Sequence, residues 1–170
     1  MAVRLWTMMP SPVGELVLGG DGTALTEVLF EVHRDGTDPM LDRVRSGDRA
    51  DDDLVLGRAA VQLGEYFAGE RRSFELPLAP SGSAFRQRVW AALLEIPYGA
   101  TASYGDIARR LDLPPGASRA VGLANGANPI SIVIPCHRVI GADGSLTGYG
   151  GGLDRKRLLL DLEQQDDQLF

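Results

Sequence analysis

The stretch Pro135-Cys136-His137-Arg138 sets the chain's single cysteine beside one of its two histidines and a permanently charged guanidinium. A thiol attacks carbon as the thiolate, and an imidazole or a cation beside it lowers the pKa that limits this step. A solitary cysteine is by default an inert, buried, small hydrophobe; here both kinds of activating group flank it. The apolar run Ile130 to Ile134 reads as a buried strand or extended segment stopped by Pro135, which would leave Cys136 at the strand's mouth. Side chains of neighbouring residues in extended backbone point to opposite faces, so His137 would reach the sulfur through a bend or a bridging water. The chemistry implied is nucleophilic attack by a cysteine. One cysteine permits no internal disulfide, and with two histidines it builds no cysteine-rich zinc site, so no metal is expected. The glycine run Gly148 to Gly152 lacks the Gly-Lys-Ser/Thr ending of a phosphate loop.

The elements that would position these residues follow from periodicity and punctuation. Val3 to Met9, Glu15 to Leu18 and Leu25 to Val32 read as strands, the last two joined by the turn Gly19-Gly20-Asp21-Gly22. His33 to Asp53, rich in Asp, Arg and Gly, reads as a long mobile loop. Leu54 to Ala68 has a helical stripe of Leu56, Ala60, Leu63 and Phe67. Phe74 to Leu78 could form a short strand, and Pro77 and Pro80 to Gly82 mark a linker. Beyond it, Ser83 caps a helix from Ala84 to Glu95, with Phe85, Val89, Trp90, Leu93 and Leu94 inward. Ser103 and Asp106 form a capping-box variant for a helix to about Leu111. Leu113 to Gly116 breaks the chain before a short helix from Ser118 to Gly126, giving a helix-turn-helix shape. Asp154 caps a last helix from Arg155 to about Gln164. The expected class is α/β: a small antiparallel-sheet domain over residues 1–81, then a mainly helical domain with a helix-turn-helix over residues 82–170.

The 170 residues carry a formal charge of -6, which at first argues against nucleic acid, because basic surface supplies most of that affinity. The charge is uneven. Residues 1–81 hold 8 basic and 14 acidic side chains, whereas residues 82–165 hold 9 and 7, and Asp166 and Asp167 follow. The second half is therefore permissive for DNA. No apolar run approaches the ~20 residues needed to span a bilayer, and no signal peptide is evident; a cytoplasmic protein with no membrane association is expected.

The order and spacing of several further segments resemble one family. Pro135-Cys136-His137-Arg138-Val139-Ile140-Gly141 is similar to the active-site signature of the O⁶-alkylguanine-DNA alkyltransferases. Arg88-Val89-Trp90, Ile96-Pro97-Tyr98-Gly99, Ser103-Tyr104-Gly105 and Arg119-Ala120-Val121-Gly122 precede it, as does Asn128-Pro129. Gly148 to Gly152, Arg155-Lys156 and Glu163 follow. The resemblance covers roughly residues 82–165 and is loose before that. It implies that Cys136 accepts an alkyl group irreversibly, once per molecule, from O⁶-alkylguanine in double-stranded DNA, with no cofactor. It implies that His137 activates the thiol through a water and that Glu163 orients the histidine. Tyr104 would help rotate the nucleotide and donate to the base, and Arg119 would fill the gap left by the flipped nucleotide. Asn128 would tie the helix-turn-helix to the active-site segment. Tyr149 would line the pocket, with the backbone of Cys136, Val139 and Gly150 reading the guanine edge. Arg138 is counted with Arg119, Asn128, Val139, Tyr149 and Gly150 among the residues that bind DNA or base. The resemblance further implies a monomer, able to cluster on DNA. The chain lacks the Cys and His ligands of the amino-terminal zinc site some relatives carry, and Arg157 stands where relatives often have Trp.

Rival readings come from other classes. A lesion sensor that binds and flips the base without transfer would lack the acceptor cysteine, which is present. A cysteine hydrolase would need an oxyanion hole. A helix-turn-helix regulator would leave the thiol unreactive.

Overall fold

The computed structural model describes residues 3–31 and 38–165. The chain divides into two compact units, Met1–Pro80 and Ser81–Phe170.

In the first unit, β1 (Leu5–Met9), β2 (Leu16–Gly20) and β3 (Leu25–Phe30) form an antiparallel meander. The β2–β3 turn is set by Asp21, whose Oδ1 accepts from the backbone N–H groups of Thr23 and Ala24 at 2.8 and 2.7 Å. The expected long loop is corrected within the described part of its span. Residues 39–45 form α1 (Pro39–Arg45), and Asp48–Arg49 form β4. Asp38 caps α1 by accepting from Met40 N–H at 2.9 Å, and Pro39 sits at its first position. Two apolar side chains spaced i, i+3 are enough to dock this helix: Leu41 and Val44 bury against Val17 and Leu29. Residues 33–37 lie outside the described residues. β4 pairs parallel to β1, so the sheet, ordered β3-β2-β1-β4, is mixed and not purely antiparallel.

The opposite face of β2 is covered by α2 (Leu54–Phe67), capped by Asp53. Its buried stripe is Leu56, Ala59, Gln62, Leu63 and Tyr66, with Ala59 and Tyr66 in place of the expected Ala60 and Phe67; the Tyr66 ring packs edge-on against Phe67 and meets Phe74. With both faces covered, every residue of β2 is buried. Phe74 to Leu78 contributes one parallel bridge, Leu78 to Leu25.

The second unit begins with α3 (Ala84–Leu93), whose cap Ser83 accepts from Arg86 N–H. Leu94, expected inward, is 50% exposed, because the helix ends at Leu93 and the chain turns there. β5 (Ala102–Ser103) leads directly into α4 (Tyr104–Arg110), where Ser103 and Asp106 form the full capping box. α5 (Ser118–Gly126) follows, packed against α3 and α4. Trp90 on α3 donates its indole N–H to the carbonyl of Ala124 on α5 at 2.8 Å, fixing the two helices. The short β6 (Val139–Ile140) pairs parallel with β5. α6 (Leu153–Gln165) starts two residues earlier than expected, so Asp154 lies in its first turn, where it complements the helix dipole, and is not its cap. Among the described residues, no helix is long and apolar enough to cross a membrane.

Candidate active site around Cys136

The segment ahead of the cysteine is not a strand. Ile134 N–H donates to Ile130 carbonyl at 3.0 Å and Val133 N–H to Ser131 carbonyl at 2.8 Å. Ile132, between the partners of the second bond, has φ of 73°. This is a γ-turn in the sparsely populated sense, held in a β-branched, fully buried residue. A second, relaxed γ-turn follows at Pro135 (φ -82°, ψ 63°), closed by Cys136 N–H to Ile134 carbonyl at 2.8 Å. Cys136, His137 and Arg138 then form one 3-10 turn. The cause of the curl lies upstream. Asn128, just past α5, accepts from Ile130 N–H at 3.0 Å through Oδ1 and donates to Ile134 carbonyl at 2.8 Å through Nδ2. One side chain thus clamps both ends of the apolar run. Asn125, one helical turn earlier on the same face of α5, donates to Cys136 carbonyl at 3.4 Å.

Cys136 is 4% exposed. Its neighbours do not simply lower its pKa, as the adjacency of His137 and Arg138 suggested. Burial dominates and pushes the thiol up from its ordinary value of 9.0, against hydrogen bonds from Asn128 and Tyr149 and the charge of Lys156. The resting group is therefore a thiol, and its proton must be removed as it reacts. The cation acting on it is Lys156, whereas the Arg138 guanidinium is engaged elsewhere.

Glu163 on α6 organises that engagement. Its Oε2 accepts from His137 Nε2 at 2.6 Å, and both its oxygens accept from Arg138, at 2.7 and 3.1 Å. Arg138 also donates to Ile96 carbonyl at 2.6 Å and lies over the Tyr98 ring at 5.8 Å. Gly99, at φ of 81° and so in a conformation suited to glycine, turns its N–H toward Glu163 at 3.5 Å. The Ile96 to Gly99 segment is thus a belt around the carboxylate. Burial opposes the charge of Glu163, but the hydrogen bonds and charges of His137 and Arg138 outweigh it and hold the carboxyl at about 2. An ionised carboxylate only accepts, so His137 Nε2 carries the proton and Nδ1 the lone pair. Nδ1 is buried with no hydrogen-bond partner among the described residues. Burial also lowers the His137 pKa, which keeps the ring neutral and its Nδ1 lone pair free of a proton.

Lys156, the chain's single lysine, is fully buried. Its ammonium donates to Val139 carbonyl at 2.6 Å and Thr147 carbonyl at 3.1 Å, fastening the 141–152 loop to β6. Burial draws its pKa down, and the charge of Cys136 offsets this in part. Tyr149 reaches the thiol from that loop and also meets Ser131; burial first, then the Cys136 charge, raises its pKa.

Cys136, His137, Glu163, Asn128 and Tyr149 are therefore brought together. Arg138 is 6% exposed and braces Glu163, which corrects its assignment to a DNA-facing role. The N–H groups of Cys136 and Val139 are both engaged internally, the latter with Cys136 carbonyl. Gly150 is exposed. Tyr104 is half-buried at the start of α4, beside the β5–β6 pair. Arg119 stands exposed on α5, opposite the buried stripe Val121, Ala124 and Asn125, in line with Gly122, Leu123 and Gly126. Sequence reasoning missed Asn125, Thr147 and the role of Lys156. A signal existed for Lys156: with Leu159 and Glu163 it repeats at i, i+3, i+7, which puts two charges on the buried stripe of α6.

An α/β unit followed by a helical unit with a buried cysteine, histidine and glutamate defines a class of single-cysteine, two-unit proteins. Comparison with known proteins narrows it. Residues 84–165 match the family described as 6-O-methylguanine DNA methyltransferase, DNA binding domain, and residues 5–80 match its ribonuclease-like domain. A Mycobacterium bovis methylated-DNA–protein-cysteine methyltransferase is 51% identical over 157 residues, spanning 91% of this chain and 88% of the relative. A relative of the same description from Methanosarcina acetivorans is 46% identical, over 93% of this chain and 97% of its own. The crystal structure of the Mycobacterium tuberculosis O⁶-methylguanine methyltransferase superposes with a TM-score of 0.85 at 48% identity, covering 96% of this chain and 94% of that one. A Mycobacterium tuberculosis relative solved in complex with DNA gives a TM-score of 0.83 at 48% identity, covering 95% and 93%. The chain belongs to the 6-O-methylguanine DNA methyltransferase family.

Proposed function

We propose that the protein repairs DNA directly, moving the alkyl group of O⁶-alkylguanine in a duplex onto Cys136, one transfer per molecule. The observation that carries this reading is the tautomer forced on His137. Glu163 at about 2 is an acceptor, His137 Nε2 donates to it, and the Nδ1 lone pair is left as a base on the residue that follows a protonated, buried thiol. Proton removal through His137 and attack by sulfur on the alkyl carbon are then one coupled event. The imidazolium that forms is stabilised by the Glu163 charge. Backside displacement breaks the carbon–O⁶ bond and leaves a thioether. The site supplies no group to cleave it, so turnover stops there. Residues of this chain carry every step, and no cofactor is required.

The target atom sits inside the duplex, so the nucleotide is rotated out at a cost of about a few kcal/mol. The exposed stripe of α5 suits this. Gly122 and Gly126 let the helix lie close to the backbone, and Arg119 is long and planar enough to fill the vacated stack. The carbonyl of Val139 suits the amino edge of guanine, and Tyr104 suits protonation of the departing base. Recognition by shape and backbone, with little base code, fits a monomer that scans any sequence. The reading places the protein in the cytoplasm.

The test is intact mass after incubation with a duplex holding one O⁶-methylguanine. The expected result is replacement of one S–H by S–CH₃ per chain, capped at one equivalent and lost in Cys136→Ala, which still binds the lesion. Tight lesion binding by the wild type with no mass gain would overturn the reading in favour of a sensor.

A further inference from the structure

The Tyr104 hydroxyl does not stand alone. It lies 2.5 Å from Oγ1 of Thr147, a short O–H···O contact. Thr147 is fixed in turn. Its carbonyl accepts from Lys156 at 3.1 Å, and the same ammonium holds Val139 carbonyl at 2.6 Å. Val139 and Ile140 pair with Ala102 and Ser103, and Ser103 immediately precedes Tyr104. The hydroxyl contact thus closes a ring of interactions running from Tyr104 through Thr147, Lys156 and β6 back to β5. Behind the phenol, Gly122 of α5 is close enough that a Cβ there would rest 3.7 Å from the aromatic ring. The phenol is held from two sides, and its hydroxyl meets one chosen partner.

One of the two hydroxyls must donate. A phenol that donates to Thr147 has no proton left for a base. A phenol that accepts from Thr147 keeps its proton free, and the bond it receives stabilises the oxygen as that proton departs. We propose that Thr147 is a positioning residue for the alkyl transfer: its Oγ–H donates to Tyr104 Oη, aims the phenol proton at the leaving guanine and steadies the phenol oxygen as that proton departs. The proposal rests on the alkyl-transfer reading above. In the step, the sulfur–carbon bond forms and the carbon–O⁶ bond breaks. The electron pair of that bond stays with guanine, whose ring nitrogen takes the Tyr104 proton. Thr147 holds the phenolate until solvent reprotonates it. The thiol proton, taken up at His137, returns to solvent, so the net change is S–H plus O⁶-alkylguanine to S–alkyl plus neutral guanine.

The experiment measures single-turnover transfer from an O⁶-methylguanine duplex over a range of duplex concentrations. It compares wild type, Thr147→Val, Thr147→Ser, Tyr104→Phe and the Thr147→Val/Tyr104→Phe double variant. Loss of one neutral hydrogen bond made in the transition state predicts a limiting rate roughly tenfold lower for Thr147→Val. The half-saturating concentration should not change, and Thr147→Ser should restore the rate. Thr147→Val should add nothing to Tyr104→Phe. A wild-type limiting rate in Thr147→Val, or multiplicative effects in the double variant, would overturn the positioning role while leaving the transfer reading intact. Absence of transfer in the wild type would instead remove the reading beneath it.

Discussion

At the scale of single residues, the buried charges of the centre set a pH window for the fold. Glu163 titrates at about 2 in the folded protein against an ordinary value of 4.5. The unfolded chain therefore takes up that proton first, and the stability Glu163 contributes is complete above 4.5 and lost as pH falls toward 2. His137 has the same sign. Its pKa is held below 6.5 by burial, so stability begins to fall once the unfolded histidine protonates. Cys136 has the opposite sign. Its pKa is raised above 9.0, so its contribution is complete below 9.0 and lost as pH rises through the folded value. Urea midpoints should be highest between about 6.5 and 9.0 and fall on both sides. Glu163→Gln should lower the plateau by about 3–5 kcal/mol, because Arg138 is left without its buried counter-charge, and should flatten the limb below 4.5. A wild-type midpoint constant from pH 6 to 3 would contradict this. Cys136 and His137 were legible in the sequence because their types alone imply chemistry. The Arg138–Glu163 pair was not, because an arginine beside a cysteine reads as its activator until the carboxylate 25 residues away is seen to hold it.

At the scale of elements, legibility followed local signals. Ser83, and Ser103 with Asp106, announced the starts of α3 and α4 through hydrogen bonds within a few residues of chain. The bounds of α5 could be read from the Pro-Pro-Gly break ahead of it. The segment Ile130 to Ile134 was misread because an apolar β-branched run fits a buried strand as well as any other buried form. Its curl is imposed by a side chain, Asn128, and no periodicity reports that. Asn128→Ala should therefore act as a structural lesion beyond its own bonds. Losing the clamp leaves the buried Ile130 N–H unsatisfied and takes one of two hydrogen bonds from the Ile134 carbonyl, which keeps Cys136 N–H, a cost of about 1–3 kcal/mol. It also releases the strained turn at Ile132, so Cys136 should react faster with a small thiol reagent while transfer from DNA falls. Unchanged denaturant stability in this variant would show that the backbone holds the curl unaided. α1 went unread for a different reason: a seven-residue helix with two buried side chains leaves almost no stripe to detect.

At the scale of the whole molecule, the overall acidity hid a division of labour. The excess acid lies in residues 1–81, while residues 82–165 carry the slight basic excess. Two of those nine cations, Arg138 and Lys156, are buried in the centre and are unavailable to phosphate. DNA affinity should accordingly fall only modestly with salt. On the proposed reading, in which Arg119 enters the base stack and neutralises no phosphate, Arg119→Ala should weaken lesion engagement while changing the log–log salt slope by less than the ~0.9 of one lost phosphate contact. A slope change of a full contact, measured by titration at several salt concentrations, would move Arg119 to the backbone. Lys156 is the single lysine, every other permanently cationic side chain being arginine, and this has a practical corollary. With Lys156 enclosed, the native surface offers no ε-amine to acylating reagents and amine cross-linkers. Acylation at Lys156 becomes a time-stamped record of the second unit opening, a covalent clock that the protein carries without any label being engineered into it.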